Sequence, residues 1–197
     1  MDGIKSAIEV LNGSGVNAVR ELQKFSFGTI EECKDLFKNT LSETDKSITN
    51  LTWLPEFDNV VAWMHDNNGK GLCLRGDCGR GKSSILLGVI PVIFMMKYNK
   101  VVKVTHAEDL PREINKLLRK KIIAIDDIGT EAMINDYGEK SEAFNRLINL
   151  AEKELRLLFV TTNLGKDDIL TRYGNRTWER LNRLCYVINF KGESLRN

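Results

Sequence analysis

Gly76-Asp77-Cys78-Gly79-Arg80-Gly81-Lys82-Ser83 matches the pattern G-x-x-x-x-G-K-[ST] without a gap. Its glycines permit backbone conformations that a Cβ would forbid, so successive N–H groups can turn inward onto an anion. Lys82 would then reach the outer phosphates of a nucleoside triphosphate, and Ser83 would offer its hydroxyl to Mg²⁺. Residues 70–75 on one flank read as a short strand. On the other, Ser83-Ser84-Ile85-Leu86-Leu87 opens an apolar helix whose N-terminal dipole adds to the anion site. The expected phosphate contacts therefore run from Gly76 to Ser84.

Composition narrows the classes. The chain has 197 residues, 42% hydrophobic and 28% charged, which allows one core-forming domain with a small appendage. No apolar run is long enough to span a bilayer, and the N-terminal residues carry no signal-like pattern, so a cytoplasmic protein with no membrane contact is expected. Cys33, Cys73, Cys78 and Cys185 form no CxxC pair, which argues against zinc and against a disulfide framework. Net charge is only +2, but its sign is uneven. Residues 1–60 hold six basic against ten acidic side chains, and residues 169–197 hold six basic against two acidic. An acidic front and a basic tail suit head-to-tail contact between copies; a solvated charged surface is the plainer account.

Taken in order, residues 4–40 place apolar side chains at helical spacing and predict two or three short helices, with Thr29 and Glu32 as a capping box. Pro55 opens a helix that closes at Asn67-Asn68-Gly69, its aromatics reading as core rather than as an adenine platform. Strands are expected at 70–75, 101–105, 122–125, 156–161 and 185–190. Between them lie helices from Ser83 to about Asn99 and at 107–120, 137–155 and 175–184. This alternation predicts a parallel α/β sheet with right-handed crossovers, whose ligands bind at the carboxyl ends of the strands. The P-loop, Asp126-Asp127 and Asn163 all fall at such ends. Asp126 would hold Mg²⁺, Asp127 would polarise an attacking water, and Asn163 could orient that water.

The segments GDCGRGKS (76–83), IIAIDDIGTE (122–131), FVTTN (159–163) and YGNRTWERL (173–181) resemble the ATPase domain of replicative helicase loaders of the DnaC/DnaI type, and of the related IstB transposition ATPases. The resemblance covers roughly residues 50–197. It implies a P-loop NTPase of the AAA+ class, a five-stranded sheet in the order 5-1-4-3-2, ATP as nucleotide and sites completed between self-associated copies. By the same resemblance Lys82 and Ser83 are the Walker A pair, Asp126 and Asp127 the Walker B acids, and Asn163 the first sensor. Arg180 is the finger given to a neighbour's ATP, with Arg176 as runner-up, and Arg196 is a second sensor. Three departures stand out. Asp127 occupies a position where the family usually has glutamate, which leaves Glu131 as a candidate helper and implies weak hydrolysis without oligomerisation or a partner. Only one short helix fits between Thr105 and Lys121, and no C-terminal lid is expected.

The resulting expectation is an ATPase domain over residues 51–197 behind a helical extension, residues 1–50, that docks a replicative helicase. Single-stranded DNA is a further candidate partner, through Arg112, Lys116, Arg119, Lys120 and Lys121. Rival readings are an IstB-like transposition ATPase, a P-loop kinase acting on a small molecule, and a nucleotide-dependent adaptor that does not hydrolyse.

Overall fold

The computed structural model describes residues 2–14, 22–48, 51–136 and 139–194, with the side chains of 133–136 and 139–142 left aside. Five strands form one parallel sheet: β1 (Gly71–Gly76), β2 (Lys103–His106), β3 (Ile122–Asp126), β6 (Leu157–Thr162) and β7 (Cys185–Phe190). Their order is β2-β3-β6-β1-β7, which is the 5-1-4-3-2 order that the resemblance implies once a separate antiparallel pair, β4 (Met133–Asp136) and β5 (Glu139–Glu142), is set aside. Strands β3 and β6 are buried from end to end, as apolar runs in the middle of a doubly covered sheet must be.

Alternate side chains feed two cores. Leu72, Leu74, Ala124 and Phe159 point to one face, where α2 (Ile30–Thr44), α3 (Pro55–His65) and the helix after the P-loop pack. Cys73, Ile123, Ile125, Leu158 and Val160 point to the other, under α6 (Leu110–Leu117), α7 (Ala143–Lys153), α8 (Lys166–Tyr173) and α9 (Asn175–Leu184). The first face is rich in rings: Phe25, Phe27, Phe94 and Tyr98 meet edge to face, and Trp63 packs on Phe159. Trp63 is core, as its spacing suggested, with its Nε1 donating to the Lys70 carbonyl at 2.7 Å.

The helix after the P-loop runs over 82–98 as α4 (Lys82–Ser84), a π-helical turn (Ile85–Val89) and α5 (Ile90–Tyr98), ending at Asn99 with φ 51°. Gly88 lies in the π turn, where a Cβ would sit 2.4 Å from Thr44 Oγ1, so α2 approaches closer than any other residue would permit. Helix α2 carries the expected capping box, with Thr29 and Glu32 each bonding the other's backbone. Residues 22–27 form no helix, yet Phe25 and Phe27 are buried in the ring cluster. Helix α1 (Asp2–Gly13) buries no side chain, and Ile4, Val10 and Leu11 are exposed.

Two elements differ from the sequence reading. The helix expected over 137–155 begins only at Ala143; before it β4 (Met133–Asp136) and β5 (Glu139–Glu142) pair antiparallel, with Asp136 opposite Glu139. Gly138 weakens a helix there, although Tyr137 and Gly138 themselves lie outside the described residues. Helix α8 was not anticipated. It is short, starts where the Gly165 N–H donates to Asp168 at 3.0 Å, and ends at Gly174.

Candidate functional site

Strand β1 ends at Gly76, whose φ is 125° and whose missing Cβ would stand 2.0 Å from the Phe190 carbonyl oxygen. That oxygen accepts the Asp77 N–H at 2.9 Å, so the loop leaves the sheet clamped to the end of β7. Gly81, at φ 82°, then aims the chain into the helix that Lys82 starts. The cavity between this loop and the sheet edge holds about 170 Å³. Residues Cys78 to Ser83 form one wall and Asp126, Asp127, Thr161 and Asn163 the other, so the ends of β1, β3 and β6 meet as the strand pattern implied.

The Lys82 ammonium donates to the Gly76 carbonyl (2.8 Å), the Asp77 carbonyl (2.6 Å) and Asn163 Oδ1 (2.9 Å). Burial lowers its pKa from the ordinary lysine value, with the charges of Asp127, Asp77 and Asp126 pulling the other way. Asn163 continues the chain, its Nδ2 donating to Asp127 Oδ1 at 3.1 Å. Asp127 has φ 61°, a left-handed conformation that a non-glycine residue adopts only when its surroundings enforce it. Burial, and then the neighbouring Asp126 charge, raises its carboxyl above the usual range.

Thr161 was missed in the sequence, though it stands two residues before Asn163 on the same strand. Its hydroxyl donates to Asp126 Oδ1 at 2.6 Å and accepts the Asp127 N–H at 2.8 Å, fixing both acids with one group. His106, at the end of β2, brings Nδ1 to 3.6 Å from Asp126 Oδ2. Ser83 and Asp126 offer hard oxygen donors to one cavity. No cluster of three or more His, Cys, Asp or Glu able to hold a metal occurs among the described residues. That donor set fits Mg²⁺, which binds through few protein ligands and keeps phosphate oxygens and water.

The side chains of other expected contact residues bond within the fold. The Arg80 guanidinium donates to Glu56 of α3 (3.1 Å) and the Glu193 carbonyl (3.2 Å). Lys191 N–H also donates to Glu56, and Gly192 N–H donates to Asp77 Oδ2, both near 3 Å. Burial pushes the Glu56 carboxyl up, but these bonds and the Arg80 charge outweigh it and hold it below the usual range. The Ser84 hydroxyl donates to Asp45, at the end of α2, and so leaves the cavity. Cys78 is exposed on the loop. Glu131 is 3% exposed, bonds Tyr173 and the Gly129 N–H, and does not line the cavity.

The arginines of α9 divide. Arg180 is held within the chain, its Nε 2.7 Å from Glu152 and its Nη1 on Asn149. Arg176 is exposed and makes no ion pair among the described residues. Neither lines the cavity. Arg196 lies outside the described residues.

The parallel 5-1-4-3-2 order with a P-loop after the first strand of the core defines a P-loop NTPase fold. Within that class, the crystal structure of the DnaC helicase loader is similar, with a TM-score of 0.60 and 17% identity over 80% of this chain and 99% of that one. The crystal structure of DnaI is also similar, with a TM-score of 0.59 and 18% identity over 80% of this chain and 94% of that one. No family model and no curated protein sequence matches the chain, so the likeness is one of fold.

Proposed function

We propose that this chain is an AAA+ ATPase whose sites are completed between copies and which acts on a replicative helicase as a loader or replication accessory protein. The observation that carries the ATPase part is the bonded series Lys82–Asn163–Asp127 across the cavity, beside Asp126 and Thr161. Loop N–H groups and Lys82 would take the phosphates of ATP, drawing Lys82 from its carbonyl partners. Asn163, released from Lys82 but still bonded to Asp127, would orient water toward the γ-phosphorus while Asp127 polarises it. Ser83 and Asp126 would hold Mg²⁺, which supplies neutralisation of phosphate charge when bound. A short aspartate in place of the longer glutamate supports slow turnover.

A trans arginine completes the charge balance. Arg180 was the expected donor, but its commitment to Glu152 and Asn149 leaves Arg176 as the better-placed candidate. The loader part is supported by the fold likeness to DnaC and DnaI and by α1, whose apolar stripe has no partner within the described residues. A metabolite kinase would need arginines closing over the phosphates. The arginine of this loop is instead occupied by Glu56.

The test is ATP hydrolysis per subunit against protein concentration for wild type, Lys82→Ala, Arg176→Ala and Arg180→Ala, then for mixtures. Hydrolysis should rise with concentration, fall on the order of 10³-fold in Arg176→Ala, and return when Arg176→Ala is mixed with Lys82→Ala. A flat rate without rescue would sink the shared site; loss in Arg180→Ala alone would return the role to that residue.

A further inference from the structure

The loop after Asp127 is held from outside the cavity by a side-chain cluster with no part in phosphate binding. Glu131 folds back on its own loop, with Oε2 accepting the Gly129 N–H at 2.7 Å and Oε1 accepting the Tyr173 hydroxyl at 2.5 Å. Arg172, the preceding residue on α8, straddles the same loop and donates to the carbonyls of Gly129 and Glu131. Its guanidinium also stands 4.0 Å from Glu131 Oε2. Tyr173 is buried and its ring packs edge-on against Phe144 of α7 at 5.2 Å. The loop reaches back to Asp127 through Thr130, whose hydroxyl donates to the Asp127 carbonyl at 2.9 Å.

On its far side the cluster meets the arginine helix. Gly174 follows Tyr173, adopts φ 83° and starts α9, two residues before Arg176. Its N–H donates to Leu170 and its carbonyl accepts from Trp178, so α8 and α9 join through a single fixed residue. Thr177 Oγ1 donates to Asn145 of α7 at 2.7 Å, securing the first turn of α9. From Asp127 to Arg176 there is thus a continuous set of bonded or covalent links, the intervening carboxylate being buried and doubly bonded.

We propose that Glu131, Tyr173 and Arg172 are positioning residues that bind the Asp127 loop and the start of α9 into one unit. The setting of Asp127 in one copy's site is then tied to the arginine the same copy presents to its neighbour. Asp127, at φ 61°, is strained for a non-glycine residue and persists there only if its surroundings hold it. Thr161 and Asn163 hold it from the sheet, and the Glu131 cluster holds the chain that leaves it. A buried carboxylate that loses one of two partners retains its desolvation cost, so a single hydroxyl is enough to loosen the unit.

Tyr173→Phe removes that hydroxyl and keeps the ring on Phe144. Glu131→Ala removes both bonds, while Glu131→Gln preserves an acceptor for Gly129 and a partner for Tyr173. Two measurements apply to the full chain. In hydrogen exchange read by mass spectrometry, Tyr173→Phe and Glu131→Ala should raise exchange of 127–131 and 174–178 together, severalfold, and leave 76–84 unchanged. In steady-state hydrolysis, which rests on the ATPase reading above, both should lower kcat roughly tenfold at unchanged KM for ATP. Glu131→Gln should stay within about threefold of wild type. Unchanged exchange at 174–178 in Tyr173→Phe overturns the proposal. So does an unaltered kcat with a lowered Tm, which makes the cluster a brace, and so does a Glu131→Gln as inactive as Glu131→Ala, which makes the carboxylate chemical. If wild type hydrolyses nothing, the ATPase reading falls and the exchange experiment alone decides the coupling.

Discussion

The two walls of the P-loop cavity are held by different parts of the chain. The P-loop wall is fastened from the N-terminal side and from the end of the sheet: Glu56 of α3 takes Arg80, Asp45 takes Ser84, and Phe190 bonds the loop backbone, Gly192 the Asp77 carboxylate and Glu193 the Arg80 guanidinium. The opposite wall, Asp126, Asp127 and Asn163, is fastened by Thr161 and, through the following loop, by α8 and α9. One wall is tied to the ring-rich core, which joins distant segments of chain. The other is tied to the helix bearing Arg176 and Arg180. Stability and reactivity should therefore separate by wall, and substitutions can break that division.

The largest effect belongs to the P-loop wall. Glu56 and Arg80 are about nine-tenths buried as side chains, so Glu56→Ala strands a guanidinium and should cost about 3 kcal/mol or more of stability. The Glu56 carboxyl lies below its ordinary value of 4.5 in the fold, so its contribution is fully present above that value and fades as pH falls through the lower, folded one. Thermal denaturation of wild type and Glu56→Ala should then differ most at neutral pH and converge in acid. A variant of unchanged Tm at neutral pH would show that this wall holds itself.

Thr161→Val addresses the other wall. It keeps shape in a buried position but leaves Asp126 and the Asp127 N–H without their shared partner. Losing a hydrogen bond that orients a metal-binding carboxylate typically lowers metal affinity or activity by roughly 10- to 100-fold. Hydrolysis at saturating ATP and Mg²⁺ dependence should both suffer, with the change in Tm smaller than for Glu56→Ala. The reverse ranking would break the division.

Most of this arrangement was legible where short-range pattern decides it. The strand–P-loop–helix unit, the buried run ending in Asp126-Asp127 and the parallel sheet followed from periodicity and motif, and the sheet order from the family resemblance. What escaped notice depends on residues far apart in sequence. Nothing local in Glu56 announces Arg80 as its partner, and a P-loop arginine reads naturally as a phosphate ligand until α3 is seen beside it. Arg180 reads as a free cation until Glu152 and Asn149 of α7 arrive. Helix α8 had a signal, Asp167 and Asp168 in its first turn with Ile169 and Tyr173 one turn apart, but eight residues give a weak periodicity. The β4–β5 pair interrupted a stretch whose apolar spacing fits a helix only from Ala143 onward.

The smallest effect sharpens the comparison furthest. Helix α2 touches no substrate position, yet Asp45 at its end receives the Ser84 hydroxyl and Thr44 meets Gly88 in the π turn. Its capping box lies at the far end, where Thr29 Oγ1 accepts the Glu32 N–H at 3.3 Å and Glu32 returns a bond at 2.8 Å. Thr29→Ala removes one half of that pair and should cost about 1 kcal/mol, lowering Tm by roughly 2–4 °C in a chain of this length. If α2 only supports the P-loop wall, kcat at saturating ATP should stay at the wild-type value below the unfolding transition. A fall in kcat without loss of folded protein would mean that the position of α2 reaches Lys82 through the π turn, and the two walls would then be coupled across the sheet.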